Sequence, residues 1–289
     1  MKETETRKKK KRKFTVAEIL LFVVVLLVFC FSLYKVVTIT MEYKKGQDEY
    51  KTLESFVQIE QETEVDVPVL KDIEPEVDTE GNIIAPTEIE KIEMKYHDNF
   101  VNAGVDCASL ESVNSDFEGW LYIPGLSISY PVVLGTDNDY YLTHTFQKEE
   151  NKSGALFLDQ VTTNAFENYN TIIHGHNMKD GSMFGKLKNF YRNTKTYAEN
   201  PYFYIYTEEK DYKYLIFSYY VTTAISDSYI IPNTEETYQT YKENALRNAV
   251  YKDVEGIPDS APIVTLSTCY GANYTDYRLV VHGILVATQ

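Results

Sequence analysis

Residues Ile19 to Thr40 carry a single charge, Lys35, and that one apolar run decides how the rest of the chain is organised. At ~1.5 Å of rise per residue it makes a helix of about 33 Å, enough to cross a bilayer core. Arg7 through Lys13 are all basic and stand just before it. By the positive-inside rule this block keeps the N-terminus cytoplasmic and places everything after Thr40 outside. A cleaved signal peptide has an apolar region of roughly 7–15 residues followed by a small-x-small site. The uninterrupted core Ile19–Leu33 is at the upper limit, and Tyr34-Lys35-Val36-Val37 offers no small pair, so a retained anchor is expected. Met1-Lys2 does not match the N-myristoylation start. The expected organisation is a cytoplasmic basic tail (1–13), a transmembrane signal anchor (14–40), an acidic extracellular stalk (41–96) and a folded domain (97–289).

Despite the basic block, the formal net charge is −15. The remainder is therefore strongly acidic. That argues against nucleic acid as a partner, because phosphate binding needs a basic face. It favours solubility outside the cell. From Glu42 to about Lys95 the chain is rich in Glu, Asp, Thr, Val and Pro, with too few large apolar residues to offset ordering entropy. Met41–Gln61 is able to continue the helix. The rest reads as an extended, self-repelling spacer, either a stalk of selected length or a plain solvated linker.

From about His97 the apolar segments become short, rich in β-branched and aromatic residues and bounded by turn signals. Expected strands are Gly119–Ile123, Ser127–Val133, Ala155–Leu158, Thr171–His174, Tyr202–Thr207, Tyr212–Ala224, Ile263–Thr268 and Arg278–Val286. Helices are expected at Phe100–Val113, Met183–Tyr191 and Thr234–Tyr251. Strands with helices inserted in their connections indicate a mainly β, closed barrel rather than a doubly wound sheet.

The cysteines are Cys30, Cys107 and Cys269, with no paired framework or C-x-x-C spacing, so neither disulfides nor zinc is supported. Thr265-Leu266-Ser267-Thr268-Cys269 ends a β-rich run before Tyr270-Gly271. A cysteine at the end of a strand is held rigidly yet stays accessible, as a thiolate nucleophile requires. The bland alternative is a small buried hydrophobe. His174-Gly175-His176 follows Thr171-Ile172-Ile173, and Gly175 breaks the strand so that His176 leaves it on a loop. Arg278 opens the last strand, and a short loop from Gly271 to Tyr277 would set it beside Cys269 as a hairpin. A guanidinium there stabilises an oxyanion. The alternative is a surface arginine paired with Asp276 or another acid. Arg278, Val280 and His282 share one strand face, so spacing alone leaves His176 and His282 as rival bases.

These residues, in this order, resemble the class B sortase family over most of Asn114–Val286. Thr265–Cys269 is similar to its Thr-Leu-x-Thr-Cys box, Gly175-His176-Asn177 to its histidine motif, and Tyr277–Val281 to the strand carrying its arginine. Gly119–Gly125, Tyr130–Val133, Asp137–Leu142 and Ser153–Asp159 resemble its opening strands and loops. The resemblance implies a closed eight-stranded barrel with N-terminal helices and a helix between strands six and seven, which Thr234–Tyr251 fits. It selects Cys269, His176 and Arg278 as catalytic residues, and Asn138, Leu142, Tyr229, Ile230 and Ser267 as lining a peptide groove. The implied activity is cleavage of a Pro-x-Thr-Gly/Asn-like sorting signal after Thr, through a thioacyl intermediate. The acyl group passes to an amine of peptidoglycan or its lipid-linked precursor, and no metal or cofactor is required. The implied partners are surface proteins bearing that signal, met at the outer face of the cell membrane. Two departures stand out: His174 lies where the family often has tyrosine, and Ile225 where some members have a polar groove residue. Two other readings use the same residues: a cysteine endopeptidase that releases surface peptides, and a non-catalytic anchored wall-binding module.

Overall fold

The computed structural model describes residues 15–60, 100–192, 201–249, 257–271 and 276–289. The expected basic tail, the expected spacer from 61 to 96 and the end of the expected helix Thr234–Tyr251 lie outside the described residues. The chain divides into two compact units between Lys45 and Gly46.

The described part of the first unit is helical. Helix α1 (Val16–Leu53) starts at a reciprocal cap. Thr15 Oγ1 accepts from the Glu18 backbone N–H at 3.3 Å, and Glu18 Oε2 accepts from that of Thr15 at 2.8 Å. From Ile19 to Ile39 every side chain is exposed, and no glycine or proline interrupts the helix before Gly46. A helix apolar on all sides calls for a non-aqueous surrounding. Its length and composition are compatible with a membrane anchor.

The last turns of α1 belong to the second unit, where Gly46, Tyr50 and Leu53 are buried. Their spacing puts them on one helical face. The continuation of the helix expected over Met41–Gln61 runs to Leu53, and β1 (Val57–Ile59) then pairs antiparallel with β2 (Ala103–Val105). One inward residue per turn leaves little periodic signal, yet it suffices where a partner surface exists. Strand β2 also corrects the expected helix Phe100–Val113. Only α2 (Cys107–Val113) is helical, because Asp106 caps it by accepting from the Ser109 N–H at 3.0 Å while residues 103–105 bond to β1.

Among the described residues eight further strands close into a barrel. They are β3 (Phe117–Ile123), β4 (Ile128–Val133), β5 (Leu156–Leu158), β6 (Asn170–His174), β7 (Tyr202–Tyr206), β8 (Asp211–Thr223), β9 (Ile263–Cys269) and β10 (Tyr277–Thr288). Around the barrel they run β10-β8-β7-β3-β4-β5-β6-β9, with β9 closing on β10. Neighbours are antiparallel except β4–β5 and β6–β9. The expected helix at Met183–Tyr191 is reduced to α3 (Lys188–Arg192). Gly181 and Met183 take left-handed backbone (φ 84 and 51), which turns that segment back on itself before a helix can start.

Helix α4 (Glu235–Asn248) joins β8 to β9, between barrel strands six and seven, and opens on a Thr234–Thr237 capping box. Its inward Tyr238, Tyr241 and Ala245 pack on Leu215, Phe217, Val280 and Ile284 of β8 and β10. Burial of one such side chain contributes about 1.5–3 kcal/mol. This helix covers the barrel over β8 and β10 and leaves the strand end at Cys269 exposed.

Candidate active site

Cys269 is the last residue of β9 and is exposed; Arg278 lies directly opposite it on β10. Residues opposite each other in an antiparallel pair share a face. Ser267/Val280 and Thr265/His282 follow down the same face. On the other side of β9, the parallel partner β6 sets His174 against Ser267, where the strand ends. The chain stays attached beyond that point. The Gly175 N–H donates to the Ser267 carbonyl at 3.1 Å, and Asn177 Nδ2 donates to the Cys269 carbonyl at 2.9 Å. His176 lies between these two ties, in the loop that follows the end of β6. Neighbouring strands are spaced about 4.8 Å apart, so the Arg278 backbone lies one strand spacing from that of Cys269.

Gly175 is the residue that permits this. A Cβ there would fall 2.4 Å from Leu156 Cδ2 and 2.7 Å from Phe184 Cδ2. The half-buried His176 ring donates from Nε2 to the Leu142 carbonyl at 2.7 Å. A carbonyl only accepts, so Nε2 carries a proton and Nδ1 is the ring nitrogen left for exchange. Asn177 is itself oriented, since its Oδ1 accepts from Lys188 Nζ at 3.3 Å. Arg278 Nη1 donates to the Tyr277 carbonyl at 3.1 Å.

The rival base is placed elsewhere. His282 is fully buried under α4, paired with Thr265 and so four residues down β9 from Cys269. The Thr265 hydroxyl donates to Asn170 Oδ1 at 2.8 Å, so His282 Nδ1 is the donor toward Thr265, at 2.9 Å. Burial alone pushes its pKa down to about 3. It is a neutral core residue.

A model of the Sortase domain matches residues 121–286. The sortase B of Listeria monocytogenes is 37% identical over 182 residues, 61% of this chain and 72% of that protein. The chain belongs to the sortase family, in class B, and is a cysteine transpeptidase. Solved class B sortases share its barrel. That of Clostridium perfringens is 32% identical with a TM-score of 0.58, covering 62% of this chain and 99% of that one. Sortase B of Bacillus anthracis, solved in complex with AAEK1, is 26% identical with a TM-score of 0.63, covering 86% and 99%.

The other groove residues expected in this sortase fall into two groups. Tyr229 donates to or accepts from Ser267 Oγ at 2.7 Å, on the face that ends in Cys269. Burial raises the Tyr229 phenol, and Arg278 and Cys269 act on it with opposite signs, so it lies within electrostatic reach of both. Asn138 is reached through two residues that sequence reasoning left out of the site. Its Nδ2 donates to Asp159 Oδ2 at 3.2 Å, and the same oxygen meets His174 Nε2 at 3.1 Å. The hydrogen bond from His174 holds the Asp159 carboxyl below its usual range. The His174 ring lies parallel to Tyr229 with centroids 6.2 Å apart. Thus Asn138, Asp159, His174, Tyr229 and Ser267 form one connected series. Asp159 closes the quoted run Ser153–Asp159, but nothing in that run marks it as the partner of His174. Leu142 meets His176 through its backbone carbonyl, which no side-chain pattern reports. Ile230 is exposed; its carbonyl accepts from Asn170 Nδ2 at 3.0 Å. Ile225 is almost wholly exposed in the β8–α4 connection.

Proposed function

We propose that this sortase is held in the cell membrane by α1, with its N-terminus cytoplasmic and its barrel outside, and joins sorting-signal-bearing surface proteins to an amine of the cell wall. The signal is of the Pro-x-Thr-Gly/Asn type. The Cys269 thiolate attacks the threonine carbonyl, and the tetrahedral oxyanion is held by the Arg278 guanidinium. His176 gives a proton to the departing amine as the C–N bond breaks, leaving a thioester on Cys269. An amine of peptidoglycan or of its lipid-linked precursor then attacks the thioester. His176 takes its proton and the thiolate leaves. Asn138, Leu142, Tyr229, Ile230 and Ser267 line the peptide's path.

The observation that carries this reading is the opposition of Arg278 and Cys269 across β9–β10, with the chain around His176 bonded to the Ser267 and Cys269 carbonyls. Such a row lets an amine compete with water, because positioning raises effective concentration. The test is mass spectrometry of the detergent-solubilised full chain with a library of Pro-x-Thr peptides and added amines. An acyl adduct on the Cys269 peptide and a new amide product are expected. Free acid alone, at saturating amine, would make the chain an endopeptidase, and no adduct at all would remove Cys269 as nucleophile.

A further inference from the structure

The end of α1 is bonded to the loops that hold His176. Gln47 Nε2 donates to Asp180 Oδ2 at 2.9 Å, and Glu49 Oε1 accepts from the Gln147 N–H at 2.9 Å. Between them Tyr50 is buried, its ring edge-on to Tyr130 at 5.2 Å. The Tyr50 hydroxyl donates to the Gly154 carbonyl at 2.6 Å and accepts from the Phe146 N–H at 3.2 Å. Burial raises this phenol well above its ordinary pKa, so it remains a donor.

Gly154 is the link to the imidazole. It takes left-handed backbone (φ +58), and a Cβ there would fall 2.4 Å from the Tyr141 carbonyl oxygen, 3.0 Å from that of Leu142 and 3.2 Å from His176 Cδ2. Gly154 therefore lies close against both the His176 ring and the Leu142 carbonyl that accepts from it. The Ala155 N–H donates to the Tyr141 carbonyl at 3.0 Å.

We infer that Tyr50 is a positioning residue for His176: its hydroxyl fixes Gly154, Gly154 fixes the ring against Leu142, and the helix that carries the apolar run is thereby part of the catalytic scaffold. This rests on His176 as the proton-transfer group. Displacements of about 1 Å by residues away from the chemistry cost up to ~100-fold in rate. Losing one hydroxyl should cost less.

The experiment compares Tyr50→Phe with the parent full-length chain in detergent micelles. Phenylalanine keeps the ring and its contact with Tyr130. Expected are a fall in kcat of about tenfold, KM within about twofold, a shifted pH–rate profile and a moved His176 ring resonance in histidine-labelled NMR spectra. Gly46→Val is the second variant. A Cβ at Gly46 already falls 2.7 Å from Ser153 Oγ and 3.3 Å from Asn151, so the branched side chain levers the helix off this loop without touching the Tyr50 hydroxyl. The same kinetic and spectral changes are expected. Parental kcat, pH profile and His176 resonance in either folded variant would overturn the inference. His176→Ala separates the two levels. Lost transfer there, with Tyr50→Phe unchanged, sinks only the positioning role of Tyr50. Full transfer in His176→Ala sinks the proton-transfer reading beneath it.

Discussion

Single residues on the Cys269 row differ in what they are asked to do, and substitution separates them. Arg278→Lys keeps the charge but loses the planar fork of donors, so kcat should fall about 10²–10³-fold with little change in folding. Steady-state rates on a sorting peptide, beside a melting curve, check this. The thiols differ as sharply. Cys107 is buried at the start of α2, and burial together with nearby Glu208, Asp211, Glu111 and Asp106 pushes its pKa up to about 11. Iodoacetamide at pH 8 should therefore label the exposed Cys269 in the folded protein and spare Cys107, which peptide mapping reads directly. His282 belongs to stability rather than chemistry. Its pKa is about 3 in the fold and about 6.5 in an unfolded chain. Between those values the unfolded state binds more protons, so stability is complete above about pH 6.5 and falls as pH drops toward 3. The span of that effect is on the order of 5 kcal/mol. His282→Asn should flatten the dependence of Tm on pH in this window and leave transfer at neutral pH largely intact.

At the scale of elements, the site depends on where β6 stops. Gly175 lets the chain pass Leu156 and Phe184 and lead His176 into the loop tied to the Ser267 and Cys269 carbonyls. Gly175→Ala adds a methyl group into that gap. Overpacking of this kind costs about 1–3 kcal/mol, and the strand end must shift. A lower Tm together with a loss of transfer of about 100-fold is expected, measured by calorimetry and by product formation. The same elements show which information was local. Each barrel strand alternates β-branched or aromatic residues between turn signals, so every one was legible to within two residues at its ends. The opposition of Cys269 and Arg278 was legible too, since a short loop joins their strands. Strands β1 and β2 were not. Three residues make no pattern, and their partner lies more than forty residues away. The tie from β6 to β9 is a parallel pairing between distant segments, which spacing does not encode, so spacing left His176 and His282 as equals and only the family resemblance selected His176. Asp159 and Tyr50 were missed for a like reason: each acts through one contact made far along the chain.

For the whole molecule, the sequence marks the apolar run clearly but not the point at which α1 becomes part of the barrel unit. Composition changes near 40, whereas the compact unit begins at Gly46. The two boundaries lead to different expectations for truncation. Removing residues 1–40 deletes the apolar run and keeps Gly46, Tyr50, Leu53 and β1. That protein should no longer partition into liposomes, yet should acylate on a soluble peptide within about twofold of the full-chain kcat, because no residue in contact with the reactive row is lost. Removing residues 1–60 also deletes the buried face of α1 and the partner of β2. Two large side chains, Tyr50 and Leu53, leave the interface, and each buried side chain of that size stabilises by roughly 1.5–3 kcal/mol. A domain of this size has about 5–15 kcal/mol in all. The shorter protein should therefore melt several degrees lower and turn over more slowly. Sedimentation with liposomes, differential scanning calorimetry and peptide turnover on the two truncations decide the matter. Equal Tm and kcat for both would mean that the barrel is complete without residues 46–60.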